Sequence, residues 1–145
     1  MTALNAPARD AARAAQVRAA TDITGFGLAG HGWEMASASG VCMTFEASQL
    51  PLYPEAEAVL ADRVRKGELP LTPVWAQGKV DCAPEVPPAR RHLFADPQTS
   101  GGLLMAVPTA RAATLLRDLH ARGVGDAALV GRVEATPAPS IRILP

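Results

Sequence analysis

Excess charge of one sign, paired cysteines and long apolar runs are all missing from this 145-residue chain, and each absence excludes something. Fourteen basic residues balance fourteen acidic ones, so the sequence carries no electrostatic footprint for DNA, RNA or an acidic membrane surface. The short basic clusters at 63–66 and at Arg90-Arg91 read as solvated faces of helices or loops. No apolar run approaches the ~20 residues of a membrane span, and no charged-then-apolar leader opens the sequence. The expectation is a cytoplasmic protein with neither a membrane nor a nucleic-acid partner. The two cysteines, Cys42 and Cys82, form no Cys-x-x-Cys pair, which fits a reducing compartment and excludes a disulfide framework. Cys42 lies in an apolar run and is expected to be buried, Cys82 to be more exposed. There is no P-loop and no Gly-x-Ser-x-Gly elbow, and His31, His92 and His120 show no metal-ligand spacing. None of the three is assigned to catalysis. His31 is expected to hydrogen-bond within the core, and His120 to sit near a helix C-terminus, where positive charge is favoured.

What is present is an ordinary globular composition, 48% hydrophobic and 19% charged, in a chain of one domain's length. An alanine-rich helix is expected over residues 5–19, opened by Asn5 and Pro7. The two threonines and the aspartate of 20–24 favour a cap or turn. A second helix is predicted over 25–38, with Phe26, Ala29, Trp33 and Ala36 at helical spacing and Gly40 as its stop. A strand follows at 41–46, then a third helix at 55–65 with Ala58, Val59 and 61–64 facing inward. Five prolines make 67–89 mostly loop, with room for an edge strand at 71–75. A buried strand at 102–107 leads to a helix opened by Thr109, with Ala112, Leu115, Leu116 and Leu119 inside and Gly123 as its stop. Strands at 127–133 and 141–144 finish the chain. Helices and strands mix without a strict βαβ rhythm, which predicts a layered α+β fold.

Two segments carry chemistry. Ala20-Thr-Asp-Ile-Thr-Gly-Phe-Gly-Leu-Ala-Gly-His31 sets an acid, two threonines and three glycines at the mouth of a helix. Ala95-Asp-Pro-Gln-Thr-Ser-Gly-Gly-Leu-Leu104 repeats that chemistry seventy-odd residues later. Acid, hydroxyls and bare backbone amides suit a metal–phosphate group, so the pair suggests half of a nucleotide site. The glycines Gly25, Gly27 and Gly30 also match Gly-x-Gly-x-x-Gly. The dinucleotide reading fails because a buried apolar strand must precede the first glycine, and here the preceding residues are charged and hydroxylated. The helix glycines serve two readings equally, close packing on a sheet or approach of an anion. Asp22 is either a helix cap or one ligand of Mg²⁺, which takes oxygen donors and shares them with substrate phosphates. One aspartate cannot hold such an ion, so its partners would come from another domain or chain. The Asp96–Gly102 segment is likewise either a polar turn or a ligand loop.

Both segments, with the later Val130-Gly-Arg-Val133, resemble the C-terminal domain of the selenophosphate synthetase (selenide, water dikinase) family over most of the chain, residues 1–133. The resemblance implies a layered α+β fold with a mixed sheet, like the aminoimidazole ribonucleotide synthetase C-terminal domain. It implies a family that makes selenophosphate from selenide and ATP, releasing AMP and phosphate, with Mg²⁺ on the nucleotide phosphates. Asp22 matches that domain's metal-binding aspartate. Gly25 and Gly27 would bring backbone to the interdomain cleft, and Ser100, Gly101 and Gly102 would line or support it. Residues 1–19 would form an interdomain helix and 20–145 the C-terminal domain. The N-terminal domain, with the reactive Cys or selenocysteine and the catalytic Lys, would lie outside this chain, which would hold no catalytic residue and be inactive alone. ATP, selenide, that N-terminal domain and a second copy in a homodimer are the implied partners. In one departure, Lys66-Gly67-Glu-Leu-Pro70 lacks the family's Gly-Gly turn and Arg-Asn pair. The other readings are a free-standing binding or dimerising module and a different ATP-binding enzyme of the same superfamily.

Overall fold

The computed structural model describes residues 4–69 and 78–145; the edge strand expected at 71–75 lies outside them. The described elements are α1 (Ala6–Ala14), β1 (Ala19–Asp22), α2 (Gly27–Ser39), β2 (Val41–Glu46), a 3-10 turn (Ala47–Gln49), α3 (Ala56–Arg65), β3 (Val80–Cys82), α4 (Pro88–Ala95), β4 (Leu103–Ala106), α5 (Thr109–Ala121), β5 (Gly131–Ala135) and β6 (Ser140–Leu144). The expected α+β class holds. Four strands form a mixed sheet in the order β3-β6-β2-β5, and β1 and β4 form a separate antiparallel pair. Within the larger sheet β2 runs antiparallel to β5 and parallel to β6, which is parallel to β3.

The sheet has one oily face. Met43, Phe45, Ile141 and Ile143 are buried and pack with Leu28, Ala29 and Ala36 of α2 and Phe94 of α4. Gly32 lets α2 lie close, because a Cβ there would stand 3.0 Å from the Phe45 ring. α2 ends as expected at Gly40, whose left-handed backbone lets its N–H reach the Ala36 carbonyl. A second, smaller core joins Ala8 and Ala11 of α1 to Leu115 and Leu119 of α5. On the sheet's other face Thr44 is fully buried and its hydroxyl donates to Glu134 Oε2 at 2.8 Å. Arg132 lies 3.3 Å from the same carboxylate.

Glu134 makes a pH prediction. The Thr44 hydrogen bond, and after it Arg132, hold this carboxyl below the usual carboxylate range. Its contribution to stability is therefore complete above the unfolded-state value and is lost as pH falls through the folded-state value. The stability gap between the native chain and Glu134→Gln, measured by denaturant titration, is expected to be widest at neutral pH and to close in the acid range. A gap of constant size across that range removes the assignment.

Several expectations need correction. The first helix stops at Ala14 rather than Ala19, because Gln16 turns left-handed. Residues 19–22 then form β1 instead of a turn, since β4 offers a backbone partner in register; tertiary pairing overrides local propensity. The second helix starts at Gly27, and Phe26, outside it, is 63% exposed. The inward face predicted for α3 does not exist. None of its residues is buried and Val59 is 57% exposed, because α3 rests on α4 and not on a sheet. The proline-rich stretch hides β3 and α4; Pro88 occupies the first helical turn, where a missing N–H costs nothing. Nor are Arg90 and Arg91 a solvated pair. Arg90 forms an ion pair with Glu57 of α3, and Arg91 donates to the Val86 carbonyl at 2.9 Å. In β4 only Leu104 is buried, because a two-stranded sheet covers less than a wide one. Thr109 is the first residue of α5 and forms no side-chain cap there. Residues 127–130 lie outside β5.

Candidate functional site

The fold brings the two chemistry-bearing segments side by side. β1 and β4 pair in a register that sets Asp22 opposite Leu103, and the pairing continues beyond the strands. Ile23 N–H donates to the Gly102 carbonyl at 2.9 Å, Gly101 N–H to the Ile23 carbonyl at 3.1 Å, and Gln98 N–H to the Thr24 carbonyl at 3.0 Å. Asn5, just before α1, adds a side-chain bond from Nδ2 to the Gly101 carbonyl at 2.9 Å. Asp22, the turn 23–26 and the loop 98–102 are thus one ladder-bonded unit at the start of α2, whose first amide, Gly27 N–H, donates to the Thr24 carbonyl at 3.0 Å.

Available space sorts the five predicted ligand-binding residues. A Cβ on Gly27, at φ 66°, would stand 2.7 Å from the Phe94 carbonyl oxygen, and one on Gly101 would stand 2.4 Å from the Ile23 carbonyl oxygen. Both glycines are required by backbone packing. A Cβ on Gly25 or Gly102 would meet nothing within 4 Å. Ser100 is exposed beside them. Asp22 is exposed too, and its carboxylate has no ion-pair or hydrogen-bond partner among the described residues. A carboxylate that neither caps α2 nor pairs with a cation is available to a ligand from outside.

One carboxylate is nevertheless only part of a cation site. No group of three acidic, His or Cys residues that could hold a metal occurs among the described residues. The donor set fits Mg²⁺ in one respect, since that ion keeps several waters and is held by one or two carboxylates together with substrate phosphates. Asp22, Gly25, Ser100 and Gly102 of the unit are exposed to solvent. A cleft of about 510 Å³ lies at the far end of β1, lined by Gln16, Arg18, Val107, Arg111 and Leu115 among others, and holds none of the predicted site residues.

The structure also settles the rejected dinucleotide pattern on different grounds. A strand does precede Gly25, but it is antiparallel and belongs to a different sheet from β2. The parallel βαβ unit that such a fingerprint needs is absent. Both cysteines are free, Cys42 buried and Cys82 half-buried. Burial pushes the Cys82 thiol up, Arg91 opposing and Asp81 reinforcing the shift, so it is a poor thiolate source at neutral pH. His120 behaves as expected, in the last turn of α5 and 2.8 Å from the Ala127 carbonyl.

Sequence reasoning missed three participants. Gln98 ties the second segment to Thr24 of the first through its backbone N–H, and the Asn5 side chain ties it to the start of α1; such bonds to backbone carbonyls leave no trace in spacing. The third is Glu34, which reaches His31 Nδ1 at 2.9 Å while Thr24 Oγ1 lies 2.9 Å from Nε2. The one-turn separation of His31 and Glu34 was the readable signal.

This ladder, the glycine-started helix and the mixed sheet beside them are the C-terminal domain of AIR synthase related proteins; residues 2–143 match that family, and the chain belongs to it. Its relatives include a selenide, water dikinase of Porphyromonas gingivalis, 44% identical over 118 residues that cover 79% of this chain and 33% of that protein. The selenide, water dikinase of Myxococcus xanthus is 39% identical over 137 residues, 93% of this chain and 39% of that protein. That of Pelobacter propionicus is 40% identical, covering 97% and 40%. The match is to their C-terminal part, and the chain spans only a third to two-fifths of the length of these curated relatives. No helix among the described residues is long and apolar enough to cross a membrane.

Proposed function

We propose that this chain supplies the C-terminal part of a cytoplasmic, homodimeric selenide, water dikinase, the enzyme that forms selenophosphate from selenide and ATP with release of AMP and phosphate. The observation that carries the reading is the joining of Asp22, Gly25, Ser100 and Gly102 into one open, ladder-bonded surface. Asp22 offers one carboxylate to the Mg²⁺ that accompanies the nucleotide. Ser100 donates its hydroxyl toward phosphate oxygens, and the bare backbone at Gly25 and Gly102 lets that group come close. Mg²⁺, when bound, neutralises charge on the phosphoryl oxygens during transfer. The reactive groups and the remaining ligands belong to the other part of the enzyme, and phosphoryl transfer needs all of these charges aligned.

The test is a fused enzyme in which this chain replaces the matching C-terminal region of the Myxococcus xanthus relative. Selenide-dependent AMP release from ATP is expected from the fusion and not from the chain alone. A fusion that folds, binds ATP and yet releases no AMP overturns the proposal in favour of a binding module.

A further inference from the structure

His31 is 8% exposed, and both of its ring nitrogens are engaged. A carboxylate can only accept, so in the neutral ring Nδ1 carries the proton and donates it to Glu34. Nε2 then keeps its lone pair and accepts the Thr24 hydroxyl. The result is an acid–imidazole–hydroxyl chain that fixes one tautomer and one rotamer of Thr24. Thr24 is also the residue where three parts of the site meet. Its carbonyl accepts the N–H of Gln98 from the second segment at 3.0 Å and that of Gly27, the first residue of α2, at 3.0 Å. The Phe26 ring lies 5.7 Å from the imidazole, beside this junction.

A histidine buried only to fill the core would need its polar atoms satisfied anywhere. This one is satisfied by a residue of the site turn on one side and by an exposed glutamate on the other. We propose that His31 is a positioning residue: with Glu34 it pins Thr24, and through Thr24 it holds the Asp22 turn against the 98–102 loop. The inference rests on the reading that this surface handles Mg·ATP, and Asp22→Asn separates the two.

The first readout needs no activity. In the ¹⁵N-histidine-labelled chain, His31 is expected to show a protonated Nδ1 and a bare Nε2, assigned by its loss in His31→Gln, and Glu34→Gln is expected to disturb that tautomer. An Nε2–H ring, or one indifferent to Glu34→Gln, overturns the proposal. The second readout uses the fused enzyme. His31→Ala is expected to raise the KM for Mg·ATP by about 10- to 100-fold, the usual cost of losing an outer-shell partner, with a smaller change in kcat. His31→Gln, whose amide oxygen can still accept from Thr24, recovers most of the loss. An unchanged KM in a fusion that Asp22→Asn disables sinks the positioning role. Indifference to Asp22→Asn as well removes the site itself. Should His31→Ala not fold, Glu34→Gln carries the same test, because that carboxylate is mostly solvent-exposed.

Discussion

Asp22→Asn is expected to cut the selenide-dependent turnover of the fused enzyme by about 10²-fold or more, comparable to removing one preorganised electrostatic group from a transition state. The fold should not notice. Asp22 ends β1 with its carboxylate exposed and unpartnered among the described residues, and surface substitutions of that kind stay within about 0.5 kcal/mol. The two outcomes point in different directions, which makes the variant informative. Loss of turnover at an unchanged melting temperature assigns Asp22 to the ligand. Loss of both would return it to a structural role at the mouth of α2. Partial recovery at high Mg²⁺ is a further expected sign, since a weakened ion site refills by mass action. Unchanged turnover would sink the metal role outright.

Why some features of this chain could be read from the sequence, while others could not, has a physical basis. An acid followed by Thr and Gly at the start of an apolar-periodic stretch is locally encoded, as are the helix stop at Gly40 and the strand 41–46, which the structure reproduces. Local signals failed wherever a partner remote in sequence decided the outcome. Ala19–Asp22 is a strand because β4 lies beside it, though alanine and aspartate are poor strand formers. The prolines of 67–89, Pro84, Pro87 and Pro88 among them, made that stretch read as loop, yet β3 pairs with β6 and α4, which starts at Pro88, places Phe94 in the main core. The apolar positions of α3 looked like an inner face only because the sequence does not say that another helix lies between it and the sheet. The site followed the same rule. Its residue types were legible, but its assembly from segments seventy-odd residues apart depends on backbone bonds that any residue type could make.

The glycines divide the site into scaffold and opening, and that division makes the second large prediction. Gly27→Ala is expected to destabilise the chain by about 2–5 kcal/mol. About 1–2 kcal/mol comes from a left-handed backbone that a Cβ disfavours, and about 1–3 kcal/mol from overpacking against the Phe94 carbonyl, which lies too close and cannot rotate away. The melting temperature should fall by roughly 10 °C. Gly101→Ala acts in the same direction, because its new methyl would collide with the Ile23 carbonyl oxygen that accepts the Gly101 N–H. Gly25→Ala and Gly102→Ala have neither a positive φ nor a neighbour within 4 Å, so thermal denaturation should place them within about 0.5 kcal/mol of the native chain. In the fused enzyme the order reverses. Gly25→Ala and Gly102→Ala put a methyl where a phosphate is to approach the backbone, and should raise the KM for Mg·ATP without loss of fold. If these two prove silent in both assays, the glycines of this surface serve packing alone and the anion reading of the helix start fails. If they are silent in stability but not in KM, the empty space beside Gly25 and Gly102 is the ligand's.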